Sequence, residues 1–429
     1  MNSRALRVAG PAILLAAALA AIVWALAFGG GAAPLELADP GAVVRWGLPI
    51  ATMVVNLSAA GMCGTLVAAL FALRSGDKPF EIALTAASIS AAVFTIASAL
   101  VGYLGYLDFS AAKPSLDSTF GAQLGQWLVQ TEAGRTWLIT TIAGAALTVL
   151  AFAVRSWTAT LFVALLALAT LVPMGTQGHS GELSTHNVAT TSLILHMLGA
   201  AVWLGGLVLM VFIRPAMKRR AMADVLSRYS TIALVAFVVV AVSGTVRAAV
   251  GLGGWSGLDS AYGTILLVKV VALLVIGFLG AVYRTRLIAR LREDDASRRF
   301  WWLVTLELAF MGIASGAAAA LARTAPPNVE QLPDVQTPAE ILTSSPLPPE
   351  LTIARWFTEW NIDLLWLFVC AFAIFFYLAG VRRLRRRGDA WPVYRTILWI
   401  LGILLLFWVT CGPVNAYSDY LFSVHMVGH

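Results

Sequence analysis

Eleven stretches of this chain stay apolar for long enough to cross the roughly 30 Å hydrocarbon layer of a membrane, which takes about 20 helical residues. They lie near residues 9–30, 46–73, 81–106, 136–154, 157–174, 188–213, 229–250, 262–282, 301–322, 360–381 and 393–411. Backbone groups in lipid must find partners within their own segment. Runs of this length therefore predict an all-α polytopic integral membrane helix bundle of about eleven transmembrane helices. Composition agrees. Only 12% of residues are charged and the mean hydropathy is +0.83, against roughly a quarter charged in soluble domains. A soluble enzyme, a nucleic-acid binder and a disordered scaffold are excluded together. The net charge of +7 does not form one basic face; it falls in short clusters between apolar runs, the pattern of a protein whose partner is the lipid bilayer.

Those clusters set the orientation. With the N-terminus in the cytoplasm, 22 of the 29 Lys and Arg residues fall on the inner side, from Arg4 and Arg7 to the run Arg382–Arg387 and Arg395. The alternate loops carry Arg45, Lys113, Arg135, Arg323 and Arg355 mixed with acids. This asymmetry predicts a cytoplasmic N-terminus in a multi-pass membrane protein. The first span follows Arg4 and Arg7 as a signal peptide would, but its length and the weak Gly29–Ala33 cleavage site predict a retained helix. Of the outer segments, 107–135 is polar and contains Trp127. Residues 323–359 run from Pro326-Pro327 to Pro348-Pro349 and read as an extended tether. This gives N-terminal helices 1–5 (residues 1–175), helices 6–9 (176–327), a Pro-rich outer linker (328–359) and a C-terminal part (360–429). Cys63, Cys370 and Cys411 sit at depths differing by roughly 10–25 Å at ~1.5 Å per residue, too far for disulfides, and are expected to be buried thiols.

Ligand-type side chains gather on the outer side. Met174, His179 and His186 lie in or beside the loop before the sixth span; His196 and Met197 lie within that span; His425, Met426 and His429 close the chain. No histidine falls in a cytoplasmic loop. Imidazole and thioether suit copper, the thioether favouring Cu(I). His425 and His429, at i and i+4, share a helix face. The same residues admit plainer roles: solvated loop histidines, an interhelical strut at His196, and methionines that pack. A membrane haem protein would need histidines on facing helices at matched depth, and only His196 is clearly within a span. Lys269 and Glu307 are the charges in the apolar interior, each costly unless paired, snorkelled or facing a wet path. No nucleotide-binding loop, phosphorylation-type motif or nucleophile elbow occurs, so the reading assigns no enzyme activity and no ATP coupling.

The order Gly178-His179, His196 leading into Ala200-Ala201-Val202-Trp203-Leu204-Gly205-Gly206, Arg214-Pro215, Arg228-Tyr229-Ser230, Ser243-Gly244, Tyr262-Gly263-Thr264-Ile265-Leu266-Leu267-Val268-Lys269 and Leu306-Glu307, then Ala325-Pro326-Pro327 resembles the bacterial copper resistance protein D family over about 150 residues. The resemblance implies copper uptake or handling at the cytoplasmic membrane. The stretch Tyr377–Leu384, Gly388-Asp389-Ala390-Trp391-Pro392 and Ser423–His429 resembles the start of CtaG-like cytochrome c oxidase assembly proteins. Those proteins continue for several helices beyond the H-M-x-x-H element, so this part reads as a truncated assembly module or as a piece of a longer fusion. Together these lead to a copper-binding membrane protein for uptake or homeostasis. His179, His186, His196, Met174 and Met197 would form one outer site, and His425, Met426 and His429 a second. Lys269 and Glu307 would shape a polar path. The implied partners are an outer-face copper chaperone or terminal oxidase subunits. The alternatives are a copper-delivery or assembly factor without transport, and a haem electron-transfer protein.

Overall fold

The computed structural model describes residues 3–176, 186–282, 294–328, 337–343 and 345–429. Among the described residues there are helices and no strand. In chain order they are α1 (Ser3–Phe28), α2 (Ala42–Ala72), α3 (Lys78–Ser110), α4 (Ser118–Gln130), α5 (Glu132–Ala153), α6 (Trp157–Ala169), α7 (Val172–Thr176), α8 (His186–Ile213), α9 (Arg219–Leu252), α10 (Ala261–Val282) and α11 (Asp294–Leu321). There follow α12 (Pro338–Thr343), α13 (Arg355–Thr358), α14 (Leu364–Arg386), α15 (Val393–Cys411), α16 (Pro413–Tyr417) and α17 (Phe422–Gly428). Eleven stretches among the described residues have the length and hydropathy to cross a membrane, one for each predicted span. The chain divides into two compact units, Met1–Gly178 with His196–Val329, and His179–Leu195 with Glu330–His429.

In the first unit α2 is the most enclosed span, with Val55, Met62, Cys63 and Leu66 wholly buried. Lipid tails are as apolar as leucine, so helices in a membrane associate through close packing, which small residues permit. Two such crossings organise this unit. Gly312 and Gly316 of α11 lie so near α1 that a Cβ would stand 2.4 Å from the Leu14 carbonyl oxygen and 2.2 Å from that of Ala18. Gly64 of α2 and Gly205 of α8 meet in the same way: a Cβ at Gly64 would be 2.6 Å from the Gly205 Cα, and one at Gly205 would be 1.8 Å from the Ala60 oxygen.

Local signals set the helix ends. Thr131 and Ser156 accept N-cap hydrogen bonds from Gly134 and Ala159 at 3.0 and 3.2 Å, satisfying amides that the first turns of α5 and α6 leave open. Gly253 ends α9 at φ 63°, a left-handed conformation that a side chain would strain. The polar segment after α3 folds back as α4, with Trp127 buried and its ring 6.1 Å from that of Tyr106. In the loop before α2, a hydrogen bond from Arg45 holds the Asp39 carboxyl below the usual carboxylate range.

A bidentate ion pair ties the ends of α3 and α11. Arg323 donates to both carboxylate oxygens of Asp108, at 2.7 and 3.0 Å, across 215 residues of sequence. Two charge-assisted bonds in fork geometry fix position as well as charge. Arg323→Ala is expected to lower stability by about 1–2 kcal/mol. A double-mutant cycle with Asp108→Ala checks this, since most of the loss should appear as coupling between the two positions.

In the second unit α14 and α15 pack through aromatic rings. Tyr377 stacks on Trp399 at 5.0 Å and its hydroxyl accepts a 3.1 Å bond from Trp391 Nε1. The Pro-rich stretch, expected to be a tether, is tied down in its latter part. Tyr417 donates to the Pro349 carbonyl at 2.8 Å, and the Tyr420 hydroxyl lies 3.0 Å from the Ser345 and Pro346 carbonyls. Proline leaves its carbonyl free to accept, and here tyrosines supply the donors. Thr337 and Glu340 exchange capping bonds around α12, with Pro338 at its first position. The amide of Thr337 holds the Glu340 carboxyl below its ordinary range. Cys63, Cys370 and Cys411 are free, buried thiols, as the depth argument predicts. Cys411 Sγ faces the Asp363 carbonyl at 3.4 Å.

Candidate metal-binding sites

His196 of α8 is half-buried, and its surroundings determine its protonation. Nδ1 lies 3.1 Å from the backbone oxygen of Val240 on α9. A carbonyl oxygen can only accept, so Nδ1 carries the proton. The neutral ring then keeps its lone pair on Nε2, the tautomer that metal-ligating histidines adopt when a carbonyl orients them. Ser243 Oγ stands 3.3 Å from the same Nδ1 while donating to the Val239 carbonyl, so it adds a second acceptor beside the proton. Gly244 completes the seat. A Cβ there would fall 3.1 Å from His196 Cε1 and 3.2 Å from Nδ1, closer than a ring in place allows. Val240, Ser243 and Gly244 recur at helical spacing, so one face of α9 carries the whole seat.

The residues that follow His196 in its motif pack helices together. Trp203 is buried, its ring edge-on to Phe237 at 5.5 Å, and its carbonyl accepts a 2.6 Å bond from the Tyr229 hydroxyl. Gly206 lies under the Tyr229 ring and Gly205 on α2. Met174 is buried in the apolar core of this unit and Met197 packs against that core. His179 lies outside the described residues. His186 is the first residue of α8, and its side chain is outside the described residues.

The two interior charges keep different company. Glu307 of α11 is fully buried and within electrostatic reach of Tyr229. Lys269 of α10 is within reach of His196 and of Arg247. Arg247 escaped the sequence reading. Its signal was an arginine inside the apolar run 229–250, toward the end where basic residues are scarce.

In the second unit α17 is held by Val424, buried against Val414 and Tyr417. It presents His425 and His429 on one exposed face, their Nε2 atoms 3.1 Å apart and ring centroids 4.8 Å apart. Two nitrogens so placed can both reach one ion at the ~2.0 Å typical of imidazole ligation, subtending about 100°. Met426, 53% exposed, lies one residue round the helix. Among the described residues no group of three or more His, Cys, Asp and Glu side chains is arranged to hold a metal. Each candidate therefore supplies one or two ligands and leaves the other positions to water, thioether or cargo.

Residues 223–321 match the family model for copper resistance protein D. Residues 38–186 match that of the copper resistance protein D-like N-terminal domain. Residues 375–429 match the cytochrome c oxidase caa3 assembly factor model. The second match covers helices that the sequence reading left without a family. Among curated relatives, an uncharacterized protein of Mycobacterium leprae is 25% identical over 407 residues, 91% of this chain and 57% of the relative. One of Mycobacterium bovis is 27% identical over 399 residues, with the same two shares. The inner membrane protein YebZ of Escherichia coli is 27% identical over 198 residues, 44% of this chain and 68% of its own length. The chain thus spans 57% of the length of the mycobacterial relatives it matches. No solved structure matches. With eleven membrane-length helices among the described residues, this is a copper-related, multi-pass protein of the bacterial cytoplasmic membrane.

Proposed function

We propose that the protein takes up copper at the outer side of the cytoplasmic membrane, with His196 as the ligand within the bundle. The observation that carries this is the seat of His196. A backbone carbonyl fixes the proton on Nδ1, leaving an unprotonated Nε2 on a span where a polar group ordinarily has a function. The match to copper resistance protein D begins at residue 223 and includes the α9 side of that seat. His179, His186, Met174 and Met197 are proposed as auxiliary ligands, and Glu307 as part of an interior path for the ion or for a compensating proton.

A second reading, copper delivery to a terminal oxidase, is favoured by one observation. The paired Nε2 atoms of His425 and His429 fall within the segment matching the caa3 assembly factor. On this reading a chaperone or oxidase subunit would be the partner, and Met426 an auxiliary soft ligand.

The test is copper content and Cu(I) and Cu(II) affinity of the detergent-purified full chain, beside His196→Ala and the double variant His425→Ala/His429→Ala. Loss of bound copper in His196→Ala, with reduced cell copper in the strain carrying it, is the result expected for uptake. Loss confined to the double variant, with lower oxidase activity, would establish delivery. Equal copper in all three proteins, or none in any, overturns both.

A further inference from the structure

The turn between α14 and α15 gathers arginines with almost nothing to answer them. Arg382, Arg383, Arg385, Arg386 and Arg387 close α14 and its cap, and Arg395 lies in the first turn of α15. Asp389 is the one acidic residue between Asp363 and Asp419. All six arginines are exposed. Asp389 reaches Arg387 at 3.7 Å. Among the described residues, the side chains of Arg382, Arg383, Arg385 and Arg386 make no ion pair and no hydrogen bond. Basic residues at the end of a span orient it, and the last carbonyls of a helix favour cations. Yet Arg382 with Arg386, and Arg383 with Arg387, are like charges at i, i+4, a spacing at which they destabilise a helix. An anion from outside the chain would offset that repulsion.

The turn is built to hold its shape. Gly388, at φ 86°, lets its own amide bond the Arg385 carbonyl and that of Asp389 the Leu384 carbonyl, both at 3.1 Å, the pairing that closes a helix tightly. The stack of Tyr377 on Trp399 sets the register of the antiparallel pair, so Arg395, one turn before Trp399, stands level with Val381 and Arg382. The Arg395 guanidinium lies over the Trp391 ring at 5.3 Å, and Trp391 is itself bonded to Tyr377. Phe375, Leu378, Ile397 and Leu398 are exposed apolar side chains of the same hairpin, suited to lipid tails. Arg382 is one turn beyond Leu378, roughly 6 Å, and Arg386 another 6 Å or so at ~1.5 Å per residue. The arginines therefore begin where the tails end, in and just beyond a headgroup layer about 5–8 Å thick. Trp391 and Tyr394 are the amphipathic rings found at that level.

We propose that the α14–α15 turn binds anionic phospholipid, with the arginines of α14 and Arg395 taking the headgroup phosphates while the apolar faces below them take the tails. Guanidinium forks match phosphate oxygens in pairs, and a basic cluster next to a span draws anionic headgroups. The site goes beyond the copper readings and does not rest on them.

The experiment follows the anisotropy of acyl-labelled phosphatidylglycerol on the full chain in maltoside micelles, with unlabelled phosphatidylglycerol, phosphatidylcholine and inorganic phosphate as competitors. Phosphatidylglycerol should compete and the other two should not. Each arginine near the headgroups contributes about fivefold, so Arg385→Gln/Arg386→Gln should bind about 10–30-fold more weakly. That variant keeps Arg382, Arg383, Arg387 and Arg395 to orient the hairpin, and an unchanged thermal midpoint checks its fold. Arg385→Lys/Arg386→Lys should retain most of the affinity. Arg74→Gln/Lys78→Gln, which removes two exposed cations at the α2–α3 turn, should retain all of it. In wild type, raising NaCl from about 50 to about 500 mM should weaken binding at least fivefold, since salt screens exposed charges; this arm needs no variant to fold. Wild-type affinity in Arg385→Gln/Arg386→Gln, equal competition by phosphatidylcholine or by inorganic phosphate, or binding indifferent to salt overturns the proposal.

Discussion

Gly205→Leu is expected to remove folded protein from the membrane, leaving little or no monodisperse material after detergent extraction. The reason is what a side chain would meet. Even the first carbon of one would lie 1.8 Å from the Ala60 carbonyl oxygen and 2.8 Å from the Gly64 Cα. Both belong to helix backbone, so no rotamer change relieves the overlap. The two helices would have to part by at least ~1.5 Å to bring that carbon to ordinary contact distance, which forfeits the dispersion attraction along the whole crossing. Overpacking in a core that can adjust costs about 1–3 kcal/mol; a backbone crossing adjusts less, so a larger loss is expected here. A fluorescent fusion followed by size-exclusion chromatography reads the outcome. Gly402→Leu is the control, because nothing lies within 4 Å of a Cβ at that position of α15. A normal monodisperse peak for Gly205→Leu would mean that α2 and α8 do not cross as described.

The spans were legible in the sequence because crossing a membrane imposes a length and a hydropathy that no other constraint imitates. All eleven appear as helical spans with ends within about six residues of those expected, except that the seventh begins at Arg220, nine residues early, and the fifth is broken between α6 and α7. Which helix faces meet was not legible. Trp203, Gly205 and Gly206 stood out as a motif following His196, yet hydropathy cannot say that Gly205 seats α2 or that Gly206 underlies Tyr229. Ser243-Gly244 was visible as a pair, but its role depends on the Val240 carbonyl, and a backbone atom leaves no mark in a sequence. The Pro-rich stretch misled for a similar reason. The acceptors that tie it down are main-chain oxygens of Ser345, Pro346 and Pro349, reached by tyrosines about 70 residues later. The pairing of His425 with His429 was legible, since i, i+4 spacing on a helix fixes it without tertiary knowledge.

Gly244→Val is expected to weaken copper binding by about 10–100-fold, the range for disturbing the groups that orient a ligand, while leaving the protein folded. Its contrast with Gly205 is informative. The Cβ added at Gly244 would meet only the ring of His196, at 3.1 and 3.2 Å, and an imidazole at the end of a rotatable side chain can swing aside. The bulk of valine makes that swing larger than alanine would. Once the ring leaves its seat, Nδ1 loses the Val240 carbonyl and the proton is free to occupy either nitrogen. The fraction of rings presenting a bare Nε2 in the right direction then falls. Gly244→Ala should give a smaller loss, because the ring need move only a few tenths of an ångström. Ser243→Ala, which keeps the Val240 acceptor, should cost least. Cu(I) competition titrations on the three variants, with a thermal midpoint recorded for each, test this ordering. Loss that tracks the unfolding midpoint rather than the size of residue 244 would assign the histidine to packing, and copper affinity unchanged in Gly244→Val would remove His196 as a ligand.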